Sequence, residues 1–177
     1  MNNCRYRSLT VLFSISMLLL SCSNERSRQA AAVADQEKEL RTDSAGVPSV
    51  EKAMKMVSVY ESFAQQFPDD TLSPEFLFRA ADLAQGVGHD QMALQFYRTL
   101  RDSFPDYRKR AAVLFMMGFV YQNNLGDTSH ARESYTEFLE KYPEHPLAAS
   151  AQGALDQINS GMTDEELIRM FESKRER

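Results

Sequence analysis

Residues 131–143 read ARESYTEFLEKYP, and two related stretches precede them: MVSVYESFAQQFP at residues 56–68 and ALQFYRTLRDSFP at residues 93–105. Each stretch ends in an aromatic residue followed by proline, and the prolines are 37 and 38 residues apart. Apolar residues also stand four, seven and eleven positions before each of these aromatic residues. These spacings place the side chains on one face of an α-helix. The sequence therefore predicts three copies of one helix, each ended by a proline that cannot continue the hydrogen bonding.

A second type of helix is predicted in front of the later copies. Thirteen residues after the three prolines stand Ala81, Gly118 and Asp156, and the first two are small enough to let neighbouring helices approach closely. Gly88 and Gly126 indicate turns between successive helices. The predicted unit is a helix pair, in which a first helix with small residues is followed by a turn and by a second helix with alanine and tyrosine.

This unit resembles the tetratricopeptide repeat. The repeat has a small residue at its eighth position, an aromatic one at the eleventh, alanine at the twentieth, an aromatic one at the twenty-fourth and proline at the thirty-second. These places are filled by Ala81, Ala84, Ala93, Tyr97 and Pro105, and again by Gly118, Tyr121, Ala131, Tyr135 and Pro143. Alanine replaces the first aromatic residue in the first of these two repeats, and the second repeat holds one extra residue around Asn123-Asn124.

The resemblance covers about residues 49–159 and implies an all-α fold, a short solenoid of antiparallel helix pairs in a domain over residues 49–177. The last segment departs from the repeat, because Thr163-Asp164-Glu165-Glu166 has the form of a capping box that opens a new helix. Its apolar residues could cover the open end of the stack. A C-terminal capping helix is therefore expected, as at the ends of other solenoids.

Residues 1–21 have the features of a cleaved signal peptide. A short basic segment precedes the apolar run at residues 8–20, which is shorter than the roughly 20 residues of a membrane-spanning helix. The run ends in Leu19-Leu20-Ser21-Cys22, which resembles the lipobox of bacterial lipoproteins and implies a palmitate-containing lipid on Cys22. An ordinary signal peptide that happens to contain a cysteine is the alternative. Residues 22–48 are expected to form a flexible, lipid-anchored tether.

The long repeat spacing resembles a subclass found in bacterial envelope proteins. Its members include the BamD-type outer-membrane assembly lipoproteins and the periplasmic coordinator associated with the Tol–Pal system. The resemblance implies a membrane-anchored scaffold that binds envelope proteins, in outer-membrane protein assembly or envelope coordination. Ser23 rather than aspartate follows the lipidated cysteine, which favours the outer membrane, facing the periplasm. An accessory ligand-binding or enzyme-associated protein, or a purely structural spacer, remain the alternatives.

Composition and motifs argue against other classes. The formal net charge of -5 disfavours a nucleic-acid partner. Two cysteines cannot form a disulfide framework or a four-cysteine metal site. The histidines, His89, His130 and His145, fall in turns or at a helix start and lack the spacing of a metal site. We therefore expect no enzymatic activity, no cofactor and no metal.

The resemblance also implies a partner-binding groove. In this repeat class the fifth, ninth and twelfth positions of the first helix face the concave surface. The corresponding residues are Phe78, Asp82, Gln85, Phe115, Phe119 and Gln122. Exposed aromatic side chains of this kind often anchor an interface. The alternative is that capping helices bury all three phenylalanines, since most large apolar residues are buried.

Overall fold

A computed structural model describes residues 24–40, 49–161 and 169 of the chain. Within these residues the regular structure is entirely helical, which confirms the predicted all-α class. The helices are α1 (residues 24–40), α2 (Val50–Gln66), α3 (Ser73–Gly86), α4 (Asp90–Ser103), α5 (Arg110–Phe119), α6 (Thr128–Lys141) and α7 (Ala148–Ser160). A π-helical turn, Val120–Asn124, continues α5. The signal peptide, Cys22 and the predicted capping helix, apart from Arg169, lie outside the described residues.

The chain divides into two compact units, residues 1–76 and 77–177, and the division falls inside α3. The domain over residues 49–177 stays a prediction from the sequence. In the second unit α4 packs against α5, α5 against α6, and α6 against α7. Helices that follow one another in the chain are therefore neighbours in space, as the tetratricopeptide-like fold requires.

The first unit contains a helix where the sequence analysis predicted a flexible tether. Residues 24–40 form α1, and Val33 on this helix is 3% exposed. Arg26 forms a bidentate ion pair with the Asp70 carboxylate, in which Nε donates to Oδ2 at 2.6 Å and Nη2 donates to Oδ1 at 3.0 Å. The hydroxyl of Tyr60 donates a hydrogen bond to Glu37 at 2.7 Å. These contacts join α1 to residues far along the chain, which is why the local sequence did not reveal them.

The three aromatic–proline pairs end their helices in the same way. The amide N–H groups of Phe67, Phe104 and Tyr142 each donate to a carbonyl four residues earlier, and the following proline stops the helix. Asp127 caps the N-terminus of α6, because its side chain accepts a hydrogen bond from the amide of His130. The predicted ends of the second helices are therefore confirmed.

The π-helical turn accommodates the extra residue that the sequence predicted around Asn123-Asn124. The amide of Leu125 donates to the carbonyl of Val120, five residues earlier, instead of the four of an α-helix. The Asn123 side chain donates to the carbonyl of Phe119 at 3.0 Å, which satisfies a group beside the widened turn. One additional residue thus fits without a long loop before α6.

The core of the second unit is built from the repeat positions. Ala93 and Ala131, at the twentieth position, are completely buried, and so is Tyr97 at the twenty-fourth. Gly118 lies so close to Tyr135 that an added Cβ would be 2.6 Å from the tyrosine ring. Small residues on one helix therefore receive the aromatic rings of the next, as the sequence predicted.

Candidate protein-binding groove

An open groove of about 430 Å³ lies between α3 and α5 in the second unit. The α3 wall consists of Phe78, Asp82, Gln85 and Gly86. Phe78, Asp82 and Gln85 are separated by four and three residues, a spacing that places them on one face of a helix. The sequence analysis proposed these three residues for the groove, and the structure brings them together there.

The α5 wall differs from the expected set. It consists of Ala112, Met116 and Phe119, whereas the sequence analysis proposed Phe115, Phe119 and Gln122. The observed residues stand three positions earlier, which corresponds to a rotation of about 60° around the helix axis. Phe119 belongs to both sets and is the one proposed α5 residue that lines this groove.

Phe115 and Gln122 make contacts with other helices. The Phe115 ring lies 5.7 Å from the ring of Tyr135 and 6.0 Å from that of Phe138, both on α6. The Gln122 amide donates a hydrogen bond to Gln157 on α7 at 3.2 Å. The structure thus places these two residues against α6 and α7, outside the lining of the groove.

The three phenylalanines differ in exposure. Phe119 is 38% exposed, whereas Phe78 and Phe115 are half-buried. The Phe78 ring packs against Tyr97 at 6.1 Å, and the Lys109 ammonium lies 4.6 Å from the same ring. Phe119 therefore presents an apolar surface to solvent in the groove, while Phe78 forms a more fixed part of the wall.

A hydrogen bond from the buried core holds the acidic residue of the groove. The hydroxyl of Tyr97 donates to the Asp82 carboxylate at 2.7 Å and approaches the Gln85 side-chain oxygen at 3.4 Å. Burial and the nearby Asp82 charge raise the pKa of Tyr97 far above its ordinary value. Tyr97 consequently remains a proton donor and orients a carboxylate that is itself exposed to solvent.

Sequence reasoning missed part of the lining. Ala112 and Met116 could have been found from their spacing to Phe119, because four and three residues again mark one helical face. Asn124 reaches the groove from the π-helical turn, and Leu147 reaches it from the residue before α7. Neither position follows from the regular repeat, so no sequence signal was available for them.

Two of the histidines, His130 and His145, have structural contacts. His130 stacks on Tyr121 with ring centroids 5.0 Å apart, and its Nδ1 lies 2.6 Å from the Asp127 carboxylate. His145 is half-buried, and its ring meets that of Phe138 edge-on at 5.5 Å. Among the residues that the structure describes, no three His, Cys, Asp or Glu side chains are arranged to hold a metal ion.

Comparison with known families supports the repeat in the second unit. A family model described as a tetratricopeptide repeat matches residues 112–145, which span most of α5, the π-helical turn and α6. No curated protein matches the chain. None of the helices in the described ranges combines the length and apolar character needed to cross a membrane.

Proposed function

We propose that this protein is a non-catalytic scaffold that holds a segment of a partner protein in the groove between α3 and α5. The tetratricopeptide repeat at residues 112–145 suggests protein–protein interaction. The observation that carries the proposal is Phe119, a large apolar side chain that is 38% exposed on the wall of an open groove. Exposed apolar surface of this kind often marks an interface.

The form of the groove favours a scaffold over an accessory protein for a small ligand or an enzyme. Two carboxylates held together in an enclosed pocket would indicate a site for acid–base chemistry. Asp82 is the single carboxylate among the described lining residues, and it stands between apolar groups in a groove open to solvent. Such a surface suits the side chains of a protein segment.

The proposal includes an anchor in the bacterial envelope. In it, Cys22 carries a lipid, and the protein is held at the outer membrane facing the periplasm. There it would take part in outer-membrane protein assembly or envelope coordination. This proposal is supported by the sequence Leu19-Leu20-Ser21-Cys22 and by Ser23 after it.

The anchor is tested by fractionating cells that express the Cys22→Ala variant. The variant is expected to leave the membrane pellet after a high-salt wash, because its lipid attachment is gone. Cys4→Ala is the matched control, since this cysteine lies within the predicted signal peptide. Retention of Cys22→Ala in the washed pellet would refute the lipid anchor without bearing on the groove.

The groove is tested by site-specific photo-crosslinking in living cells. A photoreactive phenylalanine analogue at Phe119 is expected to capture a partner protein. The same analogue at Val50, which is 53% exposed on α2, serves as the control for exposed apolar surface. The partner should be captured from position 119 and not from position 50. Equal capture from both positions, or none from position 119, would refute the groove as the binding site.

A further inference from the structure

Helix α1 packs against α2 as an antiparallel partner within the first unit. Near the start of α1, the Gln29 amide donates a hydrogen bond to Gln66 at the end of α2. Near the end of α1, Glu37 accepts from Tyr60, which lies earlier in α2. Val33, midway between these two contacts on α1, is 3% exposed. Helix α1 therefore takes the place of the first helix of a pair, in front of the helix that ends at the first aromatic–proline pair.

The start of α1 is also fixed to the loop that follows α2. Arg26, in the first turn of α1, forms the bidentate ion pair with Asp70. Asp70 in turn accepts a hydrogen bond from the amide of Leu72 at 2.8 Å, and its side chain is only 15% exposed. Salt screens a partly buried pair less than a pair on the surface. The first turn of α1 is thus held against residues 67–72.

Cys22, the proposed site of the lipid, stands two residues before this helix. Helix α1 begins at Asn24, and two residues of extended chain span at most about 7 Å. The helix itself then extends for about 25 Å to Leu40. A lipid on Cys22 consequently brings the start of α1, with residues 67–72 beside it, close to the bilayer surface.

The exposed side of α1 is unlike that of a helix that lies in a membrane interface. Such helices carry large apolar side chains on the face that meets the lipid. Within residues 24–40, the exposed side chains are polar, charged or alanine, and they include the acids Asp35 and Glu39. Val33 is buried, and Leu40 is half-buried. Helix α1 is therefore suited to lead away from the membrane and not to lie along it.

We propose that α1 and α2 form a rigid membrane mount, in which the end with residues 67–72 faces the lipid headgroups and the end with Ser49 points away from them. This inference rests on the proposed lipid anchor at Cys22. It adds the orientation of the first unit and the surface that this unit turns to the bilayer. A flexible tether would instead allow every side of the unit to meet the membrane.

The test places one fluorophore at either end of the mount. In the processed lipoprotein neither natural cysteine keeps a free thiol, since one leaves with the signal peptide and the other carries the lipid, so an introduced cysteine can be labelled alone. Thr71→Cys marks the end proposed to face the membrane, and Glu51→Cys marks the far end, next to Val50, which is 53% exposed. Asp69→Cys and Lys55→Cys, also at exposed positions, repeat the comparison if a first variant fails to fold.

Each labelled, full-length lipoprotein is reconstituted into phosphatidylcholine vesicles in which part of the lipid carries a nitroxide on its headgroup. The nitroxide quenches fluorophores that lie close to the bilayer surface. The label at position 71 is expected to be quenched and the label at position 51 is not, because the length of α2 separates the two ends by about 25 Å.

A longer connection to the lipid supplies the matched control. A glycine–serine linker of about 12 residues, inserted between Ser23 and Asn24, has a root-mean-square length of about 20 Å. It should remove most of the quenching at position 71 while thermal unfolding stays unchanged, because no contact of α1 with α2 is altered. Quenching that persists with the linker would show that the short connection does not set the orientation, and would overturn the mount.

Mass spectrometry separates the failure of the mount from the failure of the anchor. A second fluorophore on Cys22, in place of a lipid, would refute the anchor and the mount together. With the lipid present, equal quenching at both positions, stronger quenching at position 51 or none at either position would overturn the mount and leave the anchor intact. Stronger quenching at position 51 would identify the surface around Val50 as the one that meets the bilayer.

Discussion

Gly118→Ala should destabilise the second unit, although alanine is normally the better residue in a helix. The added methyl group would lie 2.6 to 2.9 Å from three ring atoms of Tyr135, well inside ordinary van der Waals contact. The ring cannot retreat easily, because Tyr135 is 1% exposed and packs against Phe115. Overpacking of this kind costs about 1–3 kcal/mol.

Gly153→Ala supplies the matched control. Gly153 is exposed on α7, and an added Cβ there would meet nothing within 4 Å. This variant should gain up to about 1 kcal/mol from helix propensity alone. Because both variants share that gain, their difference isolates the contact with Tyr135. We expect Gly118→Ala to be less stable than Gly153→Ala by about 1–3 kcal/mol, the overpacking cost alone.

Urea unfolding followed by far-ultraviolet circular dichroism measures this difference, since the chain contains no tryptophan to report on folding. In thermal unfolding, each kcal/mol corresponds to a shift of about 2–4 °C for a chain of this size. Shortening Tyr135 to leucine should remove most of the penalty, as a double-mutant cycle would show. Equal stability of the two alanine variants would mean that the eighth and twenty-fourth positions do not pack as described.

Two further predictions concern the two units separately. Ala131→Leu should lower the free energy of unfolding by about 1–3 kcal/mol, because this alanine is completely buried. Ala149→Leu on the exposed surface of α7 is the control and should be nearly neutral. An unchanged melting temperature for Ala131→Leu would show that the repeat positions are misassigned. The hydrogen bond from Arg26 lowers the pKa of Asp70 below 3.8, so the pair stabilises the first unit above that pH and is lost as the pH falls through the folded pKa. The stability lost in Asp70→Asn should therefore shrink as the pH falls below 3.8 in acid titrations of unfolding, and a constant loss would contradict the ion pair.

The second helices were predictable because their signals are local. An aromatic residue followed by proline determines where the helix ends, and apolar residues at helical spacing determine which face is buried. Ala93 and Ala131 could be placed in the core on the same grounds. Nothing in these signals requires knowledge of the rest of the chain.

Helix α1 could not be predicted in this way. Residues 24–40 contain little apolar periodicity, and Val33 is the buried residue of this helix. The ion pair of Arg26 joins it to Asp70, 44 residues away. Contacts over such a distance leave no pattern in a short stretch of sequence, so the helix was mistaken for a tether.

The structure brings the residues proposed from the sequence together on one wall of the groove only. Repeat positions describe each helix by itself and assign the same positions to α3 and α5. Two neighbouring helices face each other with different sides, however, and the α5 side is rotated by about 60° from the expected one. Phe119 lies where the two sides overlap, which explains why this residue lines the groove while Phe115 and Gln122 contact α6 and α7.

The π-helical turn at Val120–Asn124 has a consequence for how this repeat can change in length. A single inserted codon inside a helix would ordinarily turn every later side chain by about 100° and disrupt the packing that follows. Here the widened turn absorbs the insertion, and Ala131 and Tyr135 still occupy their buried positions. The repeat can therefore hold one more residue at the end of its first helix as well as in its loops, and Asn124 at the end of this turn lines the groove.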